Sequence, residues 1–369
     1  MQKTILNKHV SLLLSIFISL TLFTSITAYG QIILTDEPVP FKPKEFYIAG
    51  ITDERTDKSA AALILEPEGK TVVRTVTLQP SDLQGGAYAA ISRFIEHNLS
   101  KDKFLRPVVI SIKEFKLTES AAAGGNADGR IKLHLSFGLQ KNYGTEHLVD
   151  YNGGSHYIRD GANIAAIERS IRGVLNTGLV YFNDWMNMNA GTNRKLAKNV
   201  QISFTDYMEK PEGDSIYYSA NRPLTWADFQ SHTKPSGIYE ALVMPGFGYE
   251  QRAEVAKSVI HVNITMKTYL PKSAGWVNYS GRNDYNLNHE QRHFDIVKII
   301  SEQFKQKILA AGLTPDTYEA FINIQYLDSY RDLDAMQSAY DKETGHGVNR
   351  SAQTMWNDRI DRELKIKSP

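Results

Sequence analysis

The chain has 369 residues, 42% hydrophobic and 22% charged, close to soluble globular averages, which excludes collagen-like, disordered and multi-span membrane classes and suits roughly two domains. Its 42 basic and 41 acidic residues leave a formal charge of +1, too weak a field to point to nucleic acid as a partner. With no cysteine, disulfides, thiolate ligands, thiol nucleophiles and a lipoprotein Cys anchor are excluded, so any metal site must be built from His, Asp and Glu.

Residues 1–30 read as a secretory signal peptide. Lys3 and Lys8 precede a largely apolar run from Val10 to Ala28, and Ala28 and Gly30 supply small residues at its end. Cleavage is expected before Gln31, which removes both lysines and brings the net charge to −1. The other reading, an uncleaved anchor, is marginal because serines and threonines interrupt the run. The expected location is secreted or periplasmic, with no stable membrane span after cleavage.

Residues 31–44 hold Pro38, Pro40 and Pro43 and read as an extended lead-in. Residues 45–189 read as an α+β part. Its clearest strand is Ile131–Leu139, where apolar and polar residues alternate. Pro107–Leu117 is a second strand whose alternation slips between Ile112 and Phe115, which predicts a bulge. Ala121–Gly129 between them is Ala/Gly-rich and is expected to be a mobile loop. Ile91, Phe94, Ile95 and Leu99 define one amphipathic helix, and Ile164, Ile167, Ile171, Val174, Leu175, Phe182 and Trp185 a longer one. A sandwich-like layer of helices on one face of a sheet follows, an accessory domain with a binding or scaffolding role. His97, His134, His147 and His156 lack ligand spacing and read as ordinary histidines.

Residues 190–199 are polar and basic and read as a linker to a second domain, residues 200–369. Val200, Ile202 and Phe204 alternate, as do Ile260, Val262, Ile264 and Met266, predicting antiparallel strands. The short apolar stretch Gly275–Tyr279 could pair with an extended peptide as an edge strand. From Asn286 the pattern is helical through Ile308, with Gly312 expected as a C′ glycine. Thr314 and Pro315 predict the N-cap and first position of a second long helix, carrying Phe321, Tyr326, Leu327, Tyr330 and Leu333. A last helix carries Trp356, Ile360 and Leu364.

The chemistry concentrates in His289-Glu290-Gln291-Arg292-His293, a His-Glu-x-x-His sequence near the start of the first of these helices. Residues four apart on a helix lie about 40° apart in angle, so both imidazoles can face one ion with Glu290 beside them. Ile296 and Ile300 continue that face into an apolar core, which would hold the rings rigid. A catalytic zinc needs a third protein ligand and an open position. The metzincin extension fails, because its glycine and third histidine fall at Ile296 and Ile299. Two candidates remain on chemistry: Glu319 on the next helix, as in a thermolysin-like arrangement, and His346, between Gly345 and Gly347 in a turn joining two helices. Asp341 or Glu343 could orient a ligand imidazole through its second nitrogen. Tyr340 reads as an oxyanion donor or as a buried tyrosine holding the loop. Asp295 reads as a partner of Arg292, and Trp226, Trp276 and Trp356 as packing residues.

Residues 200–364 resemble a bacterial family of predicted secreted zinc-dependent proteases. The resemblance rests on Arg222–Phe229, Trp276, Leu287–Asp295, Tyr340-Asp341, Thr344, His346-Gly347 and Gln353–Trp356. It implies a zincin-like metallopeptidase domain, with His289 and His293 as zinc ligands and Glu290 as the catalytic residue, and it places a histidine where His346 stands, so His346 is the expected third ligand in preference to Glu319. The expected function is hydrolysis of a peptide or protein substrate by a zinc-activated water, with Glu290 as general base. The cell-wall peptide amidase that uses the same chemistry is not separated from it. The competing reading is an envelope binding or assembly protein with a structural or vestigial zinc.

Overall fold

A computed structural model describes residues 31–58, 62–68, 75–99, 101–160, 163–208, 213–237 and 240–367. The expected signal peptide lies outside the described residues. The class is α+β, built around two sheets.

In chain order the first part contains β1 (Phe46–Asp53), β2 (Ala62–Glu68), β3 (Thr75–Ser81), α1 (Ala87–Asn98), β4 (Arg106–Ala121), β5 (Asn126–Lys141), β6 (Gly144–Asp160) and α2 (Ala165–Asn189). The strands form one sheet in the order β3-β2-β4-β5-β6, and β1 pairs in parallel with β4. Alternation decides which face is covered. Val108, Ile110 and Ile112 of β4 and Ile131, Leu133, Leu135 and Phe137 of β5 point into one core. Ile91, Phe94 and Ile95 of α1 and Ile167, Ile171, Leu175 and Phe182 of α2 complete it. The β4–β5 register shifts between Ile112 and Glu114, at the slip in the sequence pattern. The stretch expected as a mobile loop is mostly strand: β4 runs to Ala121 and β5 starts at Asn126, because backbone pairing continues where the side chains are too small to show a pattern. The lead-in is not idle either, since Ile32, Leu34 and Val39 are buried in this core.

The second part contains β7 (Asn199–Asp206), β8 (Ser215–Tyr217), β9 (Ala241–Leu242), β10 (Gly246–Ala256), β11 (Val259–Pro271), β12 (Trp276–Val277), α3 (Asp284–Ala310), α4 (Tyr318–Thr344) and α5 (Arg350–Lys367). β10, β11 and β7 form a sheet in that order; β10 and β8 pair antiparallel with β11, whereas β7, expected to be antiparallel, runs parallel to β11, since alternation fixes which face a strand buries and not its direction. Ile260, Val262, Ile264 and Met266 of β11 meet Ile296, Val297, Ile300 and Phe304 of α3. Ile322, Leu333 and Tyr340 of α4 and Trp356 and Ile360 of α5 belong to the same core. The stretch Gly275–Tyr279 yields only the two-residue β12, which pairs with β9.

Helix ends depart from the sequence reading in two places. α3 stops at Ala310 with an extended Ala311, and Gly312 takes no left-handed φ. α4 begins at Tyr318, because Thr314 to Thr317 form a preceding turn in which Thr314 O accepts from Thr317 N and Tyr318 N. Among the described residues, no helix is long and apolar enough to cross a membrane.

The two sheets meet at a polar knot. Buried Arg106 at the start of β4 donates to Leu196 O and Ala190 O, to Ser258 Oγ, and to Glu45. Ser258 sits in the β10–β11 turn, where Lys257 and Ser258 have φ of 51° and 62°. Left-handed backbone at both turn residues matches strand twist but strains non-glycine side chains. Ser258 gains from its position, donating through Oγ to Ala190 O at 2.7 Å, whereas Lys257 is exposed. Lys257→Gly is therefore expected to stabilise the protein by about 0.5 kcal/mol or more. Ser258→Gly, which relieves the same strain but removes the knot's hydroxyl, is expected to lower the melting temperature. Thermal denaturation of the two variants checks both signs.

Candidate metal centre

Asn283 caps α3, its Oδ1 accepting from Asn286 N at 3.0 Å, and sets the helix start at Asp284, five residues before His289. One turn apart, the His289 and His293 rings have centroids 5.0 Å apart and planes at 88°. Both side chains are buried.

Each ring is held from behind. His289 Nδ1 lies 2.8 Å from Gln353 Oε1 on α5 and 2.9 Å from Tyr340 Oη on α4. The Gln353 amide is oriented by its own donations, from Nε2 to Tyr340 Oη at 2.7 Å and to Asn357 Oδ1 at 3.0 Å. Tyr340 Oη also donates to His289 O at 3.2 Å. His293 is clamped by one side chain: Gln337 Oε1 meets its Nδ1, and Gln337 Nε2 donates to His293 O. An amide oxygen only accepts, so each Nδ1 carries the proton, and in the neutral ring Nε2 is left as a lone pair.

Both Nε2 atoms face one carboxylate oxygen. Asp341 Oδ1 is 3.1 Å from His293 Nε2 and 3.5 Å from His289 Nε2. The ligand atoms of His289, His293 and Asp341 all lie within 4.8 Å of one another, the arrangement of a metal-holding group. Ligands at the usual zinc bond lengths are separated by about 3.3 Å along a tetrahedral edge, which the two measured distances straddle. Two lone pairs and a carboxylate oxygen repel unless protons or a cation fill the space between them, so the donor set fits a divalent metal.

Burial pushes Asp341 up, but contact with the charged forms of His289 and His293 outweighs it and, without a metal, holds the carboxyl well below the ordinary range. Burial pushes His293 down, yet Asp341 and Glu290 together raise it. Glu290 is raised chiefly by burial, against the nearby histidines and a hydrogen bond from the Val243 backbone. Among the described residues, Glu290 Oε2 is buried without a hydrogen-bond partner. Glu290, the two histidines, Asp341 and His346 line a single cleft of about 440 Å³.

His346 reaches this cleft by an unusual backbone. Gly345, His346 and Gly347 have φ of 55°, 53° and 83°, three left-handed residues in succession at the end of α4. His346 N donates to Asp341 O at 2.9 Å, and Gly347 packs so closely that an added Cβ would lie 3.4 Å from His289 Nδ1. His346 Nδ1 stands 3.4 Å from Asp341 Oδ1 with its side chain half exposed, at the edge of the His289–His293–Asp341 group and outside it.

Glu319, the other candidate third ligand, is elsewhere: it is exposed near the start of α4 and paired with Arg194 at 2.6 Å. The imidazole-orienting role expected for Asp341 or Glu343 falls to Gln337 and Gln353, since Asp341 is on the Nε2 side and Glu343 accepts from Trp356 Nε1. Tyr340 is fully buried behind His289, and burial raises its hydroxyl, so it holds the ring as a proton carrier. Asp295 does pair with Arg292, at 2.9 Å. His97, His147 and His156 each rest on a surface carboxylate. Asp341 and Gln337 were open to discovery from spacing: Gln337, Tyr340, Asp341 and Thr344 recur at helical intervals on one face of α4.

No protein-family model matches the chain, and no curated protein matches it. A Xanthomonas campestris protein of family DUF330 aligns with 42% of this chain and 97% of its own at 10% identity and a TM-score of 0.31. A minor lipoprotein from Acinetobacter baumannii aligns with 26% of this chain and 74% of its own, at 12% identity and a TM-score of 0.19. Likenesses this distant bear on neither fold nor function.

Asp341→Asn is expected to weaken metal binding more than the about 10–100-fold loss expected for Gln353→Ala, while Glu319→Gln leaves it unchanged; metal titration by calorimetry ranks the three. Proton competition sets the pH dependence. Because His293 is raised, its proton persists to higher pH in the metal-free protein and must leave on binding. Apparent affinity is expected to fall on acidification from above the ordinary imidazole range, and proton release measured in two buffers checks this.

Proposed function

We propose that the protein is an exported zinc-dependent peptidase with a zincin-like second domain, in which Glu290 is the general base. His289, His293 and Asp341 would hold the ion, with His346 beside Asp341 at the edge of the cleft. The observation that carries this reading is Glu290 itself: a buried carboxylate with an unpartnered oxygen, adjacent in sequence to a metal-holding histidine and lining the same cleft. A purely structural ion has no use for such a group, which costs stability by its burial.

Bound there, zinc would supply Lewis acidity, polarising a carbonyl and acidifying water. Glu290 Oε2 would accept the proton released by the attacking water and return it to the leaving amine. Its burial raises its affinity for that proton, as a base working near neutrality requires. Gln337, Gln353 and Tyr340 would keep the two imidazoles in one tautomer and one orientation throughout. The sequence resemblance over residues 200–364 to predicted secreted zinc-dependent proteases supports the same chemistry, and the basic and apolar start of the chain supports export.

Glu290→Gln is expected to bind zinc as the parent does and to lose about a hundredfold or more in peptide hydrolysis. Zinc-loaded parent protein and variant, assayed side by side on a peptide library with mass-spectrometric detection, test this. Full activity in the variant, or none in the zinc-loaded parent, would overturn the reading in favour of a non-catalytic ion in a binding or assembly protein.

A further inference from the structure

Residues of opposite charge, Arg350 and Glu240, line the cleft. α5 opens with Arg350, whose guanidinium lies 4.3 Å from the centroid of the Tyr285 ring, and both residues line the cleft with His289 and Glu290. The ring beneath is fixed, since Tyr285 Oη donates to Gly347 O at 2.6 Å. Among the described residues, the guanidinium makes no ion pair with a carboxylate. Glu240, just ahead of β9, also lines the cleft, its Oε2 accepting from Asn286 Nδ2 at 3.0 Å. Tyr285 and Asn286 are neighbours on α3, about 100° apart around its axis, and lie one turn before His289. The cleft thus crosses the first turn of α3 with an anion beside β9 and a cation beside α5.

We propose that Arg350 selects the substrate: the cleft takes a peptide bearing a carboxylate on the side that faces α5. Stacking on a fixed ring holds the plane of the guanidinium while leaving its edge of N–H donors open, the geometry that grips a carboxylate through two parallel hydrogen bonds. A lysine there would supply the charge without the fork. Glu240 repels a carboxylate on the β9 side of the cleft, so the same pair of charges biases the direction in which the peptide lies. The required carboxylate is that of an acidic side chain or of a chain terminus, which share this chemistry. The proposal rests on the cleft being a peptide-cleaving site.

Binding without turnover separates the two claims. Fluorescence anisotropy on zinc-loaded Glu290→Gln protein would use pools of labelled peptides in matched pairs, Glu against Gln in one and free against amidated C-terminus in the other. At least one carboxylate member is expected to bind about tenfold or more tightly than its neutral counterpart, and the pair that differs names the source. Arg350→Ala in the same background should bring that ratio near one, and Arg350→Lys should retain only part of it. Equal affinities in both pairs, no binding of any pool, or a ratio that survives Arg350→Ala would overturn the proposal. Discrimination by a parent protein that cleaves nothing would sink the peptidase reading and leave the carboxylate site standing. Cleavage without discrimination would do the reverse.

Discussion

Two imidazole lone pairs and a carboxylate oxygen pressed together in a buried place form an arrangement that cannot stand alone. His289, His293 and Asp341 sit within a few ångströms of one another, each directing electron density at a common point. Such a cluster is held only if something positive occupies that point, protons or a metal, and only if the rings cannot turn away. Much of the second part of the chain serves the latter requirement. α3 sets the spacing of the rings, α4 brings Asp341 and Gln337, and α5 brings Gln353. The apolar halves of those three helices share a core with β11, so the polar end is fixed by hydrophobic packing some turns away.

Glu290 belongs to the same constraint with the opposite sign. A carboxylate buried beside Asp341 is disfavoured by desolvation and by like charge, and the nearby histidines and the Val243 amide compensate in part. The cleft therefore combines a cluster short of positive charge with a base short of hydrogen bonds. Stability alone would fill both with apolar side chains; their presence is the mark of a site under another demand.

How much of this was legible in the sequence depended on how local each signal is. His-Glu-x-x-His needs only helix geometry to bring its three side chains together, and α3 supplies it. The α+β class followed from alternation in Ile131–Leu139 and from helical spacing in Ile164–Trp185, both of which depend on near neighbours. The bulge near Lys113 was visible for the same reason. Asp341 was harder, because its role depends on which face of α4 turns toward α3, a tertiary fact. Its spacing from Gln337 and Tyr340 marked a polar face, but the glycines flanking His346 and the family resemblance pointed to His346 as the third ligand instead. The strand ends at Ala121 and Asn126 were hidden because glycine and alanine pair through the backbone without leaving a hydrophobic pattern. Short pairings such as β9 with β12 are fixed by contacts between distant segments, and no local pattern records them.

Arg106 carries a consequence for motion. Its guanidinium binds the carbonyls that end α2 and close the connecting segment, the hydroxyl of the β10–β11 turn, and Glu45 ahead of β1. A joint meant to bend is usually wet and its backbone groups exchange partners with water; here Arg106 is buried and its donors are taken. Swinging one sheet against the other would strand a charge out of reach of solvent before any new contact formed. The first layer is thus soldered to the second as a fixed buttress, and whatever opening the cleft undergoes has to come from the loops around α3 and α5.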